Sequence, residues 1–376
     1  MAKIKSLSDA KNKGEWSEAY VFLKLLALGE IYAADKNLDR IPSVKYPLKQ
    51  ILRLIKTKEI AYVRDSLEIR VIDDTGTVLL NIPVSDFEDE SNFLFDTIKI
   101  ATGTFEVPRT KKYLNSINID QITEPNEKPD ITIVLHDIHT GLNPTVGFSI
   151  KSYVGSAPTL VNASQQTNFI FCIKGAISHF DVSEINGMTK INDKKGKPLK
   201  KPKPEIKERI KAIFDKGFDL EYCGMEGEIY HSNLTMVDSH MPEILAELLK
   251  LYYSGKGTNV SDLVDILTLS NPLKYNVLAK HPFYEHKIKN FLYDSALGMV
   301  PKTPWHGFYA ANGGYIAVKD DGEVLAYHIY DKNIFLEYLY NNTKLDTHST
   351  TREKFGDIYM DGSDYFIKLN LSVRFN

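Results

Sequence analysis

The chain has 376 residues and a formal net charge of -3, with 43% hydrophobic and 25% charged residues. That is long and apolar enough for one large domain or two ordinary ones, and the 11% aromatic content argues against disorder. The near-neutral balance disfavours a protein that coats nucleic acid without regard to sequence, but allows one that gathers Lys and Arg in a cleft. Cys172 and Cys223 are the two cysteines. They are far apart in sequence and show no metal-type spacing, so they read as unreactive thiols. The N-terminal MAKIKSLSDAKNKGEW has no apolar run of the signal-peptide kind, and nothing approaches the ~18 apolar residues of a membrane span. A soluble, cytoplasmic protein is expected.

In chain order, GEWSEAYVFLKLLAL (14–28) predicts a helix, with Ala19, Phe22, Leu23 and Leu26 as its buried stripe and Gly29 as its stop. IYAADKNL starts a second, shorter element. Residues 60–82 read as one hairpin: IAYVRDSLEIRVI alternates, DDTG turns and TVLLNI returns. SDFEDESNFLFDTIKIA predicts an amphipathic helix with an acidic first turn, which suits the helix dipole. KPDITIVLHD and VGFSIKSYV predict two strands of an antiparallel hairpin around a turn rich in Gly, Asn and Pro. DKKGKPLKKPKPE carries six lysines and three prolines. It reads as a solvated loop or as an arm that follows a phosphate backbone. Helices are expected from Pro242 to Leu269. GGYIAVKDDGEVLAYHIY predicts a hairpin with an Asp-Gly turn, and YFIKLNLSVRF a terminal strand. There is no internal repeat, and no linker is long enough to separate domains. The reading is one α/β domain, with a core over about 12–185 and an extension over 186–376.

Chemistry concentrates between Pro129 and Lys151. Asp130 opens one strand, and Ser149 and Lys151, two apart, share a face of the next. If the hairpin pairs, Asp130 approaches both. A carboxylate can hold a hard divalent cation such as magnesium, and the carbonyl of Ile150 can add an oxygen ligand. The cation would polarise a phosphoryl oxygen and activate a water, while a lysine orients that water and balances developing charge. The bland alternatives are a strand-entry aspartate and a solvent-facing lysine.

This pattern resembles the PD-(D/E)XK nuclease superfamily, which has an acid where this chain has Ser149. The missing carboxylate is then expected from the first helix, with Glu18 first and Glu15 second. Asp137, at the far end of its strand, is a weaker candidate. Over the wider sequence, NKGEWSEAYVFLKLLALGEIYAAD, VGFSIKSYVGSAPTLVNASQQTNF, ALGMVPKTPWHGFYAANGGYIAVKDDGEVLAYHIY, TKLDTHSTTREKFG and IKLNLSVRF look like successive blocks of the HpaII family of restriction endonucleases. The resemblance implies a PD-(D/E)XK core, a mixed central sheet flanked by helices with helical and C-terminal β extensions. It also implies a magnesium-dependent Type II site-specific deoxyribonuclease that cuts double-stranded DNA at a short G/C-containing palindrome, CCGG being the namesake target. A homodimer on DNA and a cognate DNA methyltransferase as genetic partner follow from that reading. A repair nuclease of the same superfamily, and a DNA-binding protein without catalysis, remain open alternatives.

For sequence readout, Asn162, Gln165, Gln166 and Asn168 follow the catalytic strand. Amides can pair with base edges, although Asn162 or Ser164 could equally cap a helix. Ser349 and Arg352 in THSTTREKFG are further candidates, Arg352 for guanine, with Arg374 as an alternative. Trp305 and His306 lie in a Pro- and Gly-rich loop, where a Trp is either a core anchor or a wedge into DNA.

Overall fold

The computed structural model describes residues 10–55, 58–119, 129–137, 140–192, 196–276 and 278–376. Its elements run α1 (Lys13–Leu28), β1 (Glu30–Ala34), β2 (Arg40–Ile55), β3 (Lys58–Arg64), β4 (Glu68–Ile72), β5 (Val78–Pro83), α2 (Val84–Ile100), α3 (Pro108–Ser116), β6 (Ile131–Leu135) and β7 (Thr145–Ser152). There follow β8 (Thr159–Val161), β9 (Asn168–Lys174), α4 (His179–Gly187), β10 (Thr189–Asn192), β11 (Pro198–Pro204), α5 (Ile206–Asp215), β12 (Asp219–Met225), α6 (Glu228–Val237), α7 (Met241–Tyr253), α8 (Val260–Ser270) and α9 (Phe283–Leu297). The chain ends with β13 (Gly314–Val318), β14 (Val324–His328), α10 (Lys332–Asn341), β15 (Thr343–Leu345), α11 (Thr350–Glu353), β16 (Ile358–Asp361), β17 (Asp364–Asn370) and β18 (Val373–Phe375). This is a mixed α/β architecture in which a central sheet is flanked by helices.

Two compact units are present. The first comprises 1–158, 296–298 and 308–338; the second comprises 159–295, 299–307 and 339–376. Residues 159–185, read from sequence with the catalytic core, therefore fall in the second unit, whereas 308–338 complete the first.

In the first unit, nine strands pair in the order β1-β14-β13-β7-β6-β2-β3-β4-β5. The β1–β14 and β13–β7 pairs are parallel and the others antiparallel. Helix α1 forms because a capping box closes its N-terminus: Asn12 accepts the Glu15 N–H, and Glu15 accepts the Asn12 N–H. Gly29 ends it at φ 73°, a left-handed conformation that suits glycine. Trp16, Phe22, Leu23 and Leu26 of α1 share one core with Phe148 and Ile150 of β7 and Ile316 of β13. On the opposite face, Tyr315 and Tyr327 of the sheet pack rings against Phe335 and Tyr338 of α10.

The hairpin expected over 60–82 is instead three strands. Asp65 N–H donates to Glu68 O across a turn that the unbroken alternation of IAYVRDSLEIRVI conceals. The later turn stands as expected, with Asp73 accepting the N–H groups of Thr75 and Thr77. These bonds, the Thr75 hydroxyl first, hold the Asp73 carboxyl below its ordinary value.

The second unit holds a four-stranded antiparallel sheet (β12-β9-β17-β16), a three-stranded one (β15-β18-β8) and the β10–β11 pair. Helices α7 and α8 cover most of the expected helical stretch, each passing its outer bound by one residue. Two expectations change here. The terminal strand divides into β17 and β18, which belong to different sheets. The lysine-rich stretch is not a loop: much of it is β11, paired with β10, while Lys194 and Lys195 lie outside the described residues.

Candidate active site

The β6–β7 hairpin pairs Ile131 with Phe148 and Thr132 with Gly147, and Asp130 N–H adds one last ladder bond to Phe148 O at 3.0 Å. There β6 ends while β7 continues. The Ile150 N–H, beyond the ladder, is taken by the Asp130 carboxylate at 2.6 Å. The same oxygen, Oδ2, accepts the Ser149 hydroxyl at 3.2 Å. Lys151 Nζ lies 3.2 Å from Ser149 Oγ and 3.2 Å from Ile150 O. The structure thus brings together Asp130, Ser149, Ile150 and Lys151. Lys151 is half-buried and has no ion pair with a described carboxylate. Partly withdrawing its ammonium from water costs desolvation, and no carboxylate among the described residues offsets that.

The hairpin end is held by packing that the sequence reading missed. A Cβ on Gly147 would sit 2.3 Å from Pro129 Cγ and 3.1 Å from Ala310 O. Asn312 Oδ1 accepts the Gly147 N–H at 2.8 Å, and Gly313 N–H donates to Gly147 O at 2.7 Å. The Asn-Gly-Gly run before β13 therefore clamps β7 from one side while Pro129 lies against it. The only sequence signal was the pairing of a proline before the acid with a glycine in the next strand. On the site's side of β7, Tyr153 follows Lys151 by two residues. Burial pushes its hydroxyl up to about 12, and its oxygen shares a hydrogen bond with the Tyr338 hydroxyl.

Glu18 is half-exposed on α1. Ser17, its neighbour, has its Oγ 2.8 Å from Ser152 Oγ, which places this turn of α1 beside the end of β7. Ser152, Phe148 and Ile150 point towards α1, so Ser149 and Lys151 point to the other face. A contribution from Glu18 would have to pass the end of β7. Among the described residues, no three acid, imidazole or thiol side chains gather as a metal-ligand group. Glu15 is committed to the capping box. Asp137 is buried beyond the far end of β6, where it accepts the Thr140 hydroxyl at 2.7 Å and the Tyr330 hydroxyl at 3.3 Å.

The remaining candidates fall in the second unit. Asn162 is exposed; Gln165 and Gln166 are half-exposed on a short 3-10 turn. Asn168 is a correction, since it is a core residue rather than a base reader. Its amide is fully buried, donates to Glu226 Oε2 and Glu353 O at 2.8 Å each, and accepts from Asn370 at 2.7 Å. No hydrogen-bonding group is left to face a base. Ser349 is the N-cap of α11, accepting the Arg352 N–H at 3.3 Å. Arg352 is 68% exposed with its Nε on Glu353, and Arg374 lies 3.6 Å from Asp346. Trp305 is half-buried, its backbone N–H bonded to Asn233 Oδ1 at 2.9 Å, and His306 is exposed.

A family model described as HpaII restriction endonuclease matches residues 12–375. The Type II restriction enzyme HpaII of Haemophilus parainfluenzae is 41% identical over 367 residues, covering 97% of this chain and 98% of that protein. No solved structure matches the chain. The class is that of a restriction endonuclease, an enzyme built to cut DNA. This chain belongs to the HpaII restriction endonuclease family and is a Type II enzyme.

Proposed function

We propose that this protein cuts both strands of DNA at a short G/C-containing palindrome, CCGG first among the candidates, with magnesium as cofactor and a PD-(D/E)XK catalytic core. One observation carries the reading: the Asp130 carboxylate holds the Ile150 N–H at the point where β6 leaves β7, with Lys151 Nζ beside the Ile150 carbonyl. The donor set of carboxylate, carbonyl and hydroxyl is all oxygen, which suits a hard cation. So small a number of carboxylates, one or two, suits magnesium in particular, because that ion keeps several waters and completes its shell on phosphate. When bound, magnesium supplies Lewis-acid polarisation of the phosphoryl oxygen and lowers the pKa of a water.

The chain's own residues do the rest. Asp130 is fixed by two hydrogen bonds before substrate arrives, so little ordering remains to be done at the reaction step. Lys151, with its ammonium protons within reach of Ile150 O and Ser149 Oγ, orients the attacking water and balances charge on the phosphate. Ser149 positions Asp130 and Lys151 relative to each other. Glu18 would supply the second acid that holds the metal. A palindrome has two equivalent scissile phosphates, so the enzyme acts as a two-fold homodimer on DNA. It works in the cytoplasm beside a methyltransferase that protects the host sites.

The test is digestion of a sequenced plasmid with magnesium, followed by sequencing of the ends. Asp130→Asn and Lys151→Ala should each abolish cutting while melting with the wild type, and a chelator should stop the wild-type reaction. Wild-type cutting by either variant would remove that residue from the mechanism.

A further inference from the structure

The second unit contains a cleft of about 880 Å³ that the catalytic reading does not use. One wall is the β10–β11 hairpin with the start of α5; the other is β15 and the segment leading into α11. Four lysines from three stretches of sequence line it: Lys190, Lys203, Lys207 and Lys344. Several lysines elsewhere meet an acid, as Lys216 meets Asp181 and Glu184, Lys287 meets Asp238, and Lys368 meets Glu226. None of the four has an ion pair among the described residues; Lys207 instead lies 4.7 Å above the Tyr252 ring. Of the acids lining the cleft, Asp346 is turned to Arg374 at 3.6 Å, which leaves Glu205 and Glu208. Two further polar atoms lack partners. Thr350 is 8% exposed, and neither its Oγ1 nor the Nδ1 of His348 is hydrogen-bonded. A buried hydroxyl left unpaired costs about 1–3 kcal/mol. The N-terminus of α5, with no side-chain cap, opens on the same space.

We propose that this cleft binds the phosphodiester backbone of the DNA substrate, with the lysines as its charge and Thr350 and His348 as its hydrogen-bonding groups. An anionic strand would supply counter-charge to lysines that have none and acceptors or donors to atoms that lack them. In a chain of net charge -3, concentrating unpaired cations in one cleft is what allows affinity for an anionic polymer. The proposal rests on the nuclease reading and adds where in the second unit the backbone is held.

The experiment is duplex binding by the full-length protein without divalent cation, between 50 and 200 mM salt. It compares wild type with Lys203→Gln/Lys207→Gln, on a duplex carrying the mapped cut site and on a scrambled one. Both lysines are exposed, so the variant should melt with the wild type. Two lost phosphate contacts should reduce the slope of log affinity against log salt by about 1.8 on both duplexes. The loss of affinity between 50 and 200 mM salt should then be about twelvefold smaller than for the wild type. An unchanged slope overturns the cleft assignment and leaves the nuclease reading intact. A wild-type protein that binds neither duplex overturns both.

Discussion

Gly147→Ala tests whether the packing behind the hairpin sets the catalytic geometry. Gly147 does not occupy the left-handed region, so alanine meets no backbone strain. The obstacle is Pro129, whose Cγ would lie 2.3 Å and Cβ 2.8 Å from the added carbon. Carbon pairs rest at about 3.5–4.0 Å, so the two strands must separate by about 1.2 Å or more. The far side is closed by the Ala310 carbonyl at 3.1 Å, which directs the movement into Pro129. Pro129 is bonded to Asp130, and Asp130 holds Ile150 N at 2.6 Å. Overpacking of this size costs roughly 1–3 kcal/mol of stability. A displacement near 1 Å at a reacting group costs about 100-fold in rate. Single-turnover plasmid cleavage should therefore fall by about 100-fold while duplex affinity without metal stays near wild type. Pro129→Ala removes the nearer contact and leaves the 2.8 Å one, so the double variant should recover some of the loss. A Gly147→Ala enzyme that cuts at the wild-type rate would show that the hairpin entry does not govern Asp130.

Glu15→Gln and Glu18→Gln should separate cleanly. Replacing Glu15 should weaken the α1 cap by about 1 kcal/mol or less with cleavage retained, and replacing Glu18 should cut cleavage at least ~100-fold with the melt unchanged; full activity in Glu18→Gln removes it as the second acid. Asn168→Ala should destabilise by roughly 2–3 kcal/mol in urea unfolding, because Glu353 O and the Asn370 amide lose a buried partner; a stable variant with relaxed sequence choice would return Asn168 to the base readers. His328 is buried against Tyr46, and burial holds its imidazole below the ordinary value while Asp331 and Asp137 oppose that shift. Its folded pKa is depressed, so the stability it lends is present above about pH 6.5 and is lost as pH falls towards the folded value. Melting temperature should drop between pH 7 and 5 by more in wild type than in His328→Gln, and parallel curves would refute the assignment.

The sequence determined whatever rests on neighbours along the chain. Helix α1, its glycine stop, α2 with its acidic start, the β6–β7 hairpin and the β13–β14 hairpin are all fixed by periodicity and turn chemistry within some twenty residues. Asp130, Ser149 and Lys151 meet for the same reason, since a hairpin's register follows from its alternation. The blocks that resemble the HpaII family also survive in linear order, which is why the class of enzyme was readable without a structure. What only the tertiary structure decided depends on residues far apart. The break at Asp65 is set by pairing of β3 and β4, and YFIKLNLSVRF divides because β17 and β18 pair with different partners, β9 and β8. Asn168 looks like any polar residue in NASQQTNF, yet Glu226, Glu353 and Asn370, contributed from 58 to 202 positions away, consume its amide. The clamp of Asn312 on Gly147 and the lysine cleft likewise join residues with no local signal in common. Burial and hydrogen-bond satisfaction are properties of the packed molecule, and they decide which of two chemically identical side chains is free to act.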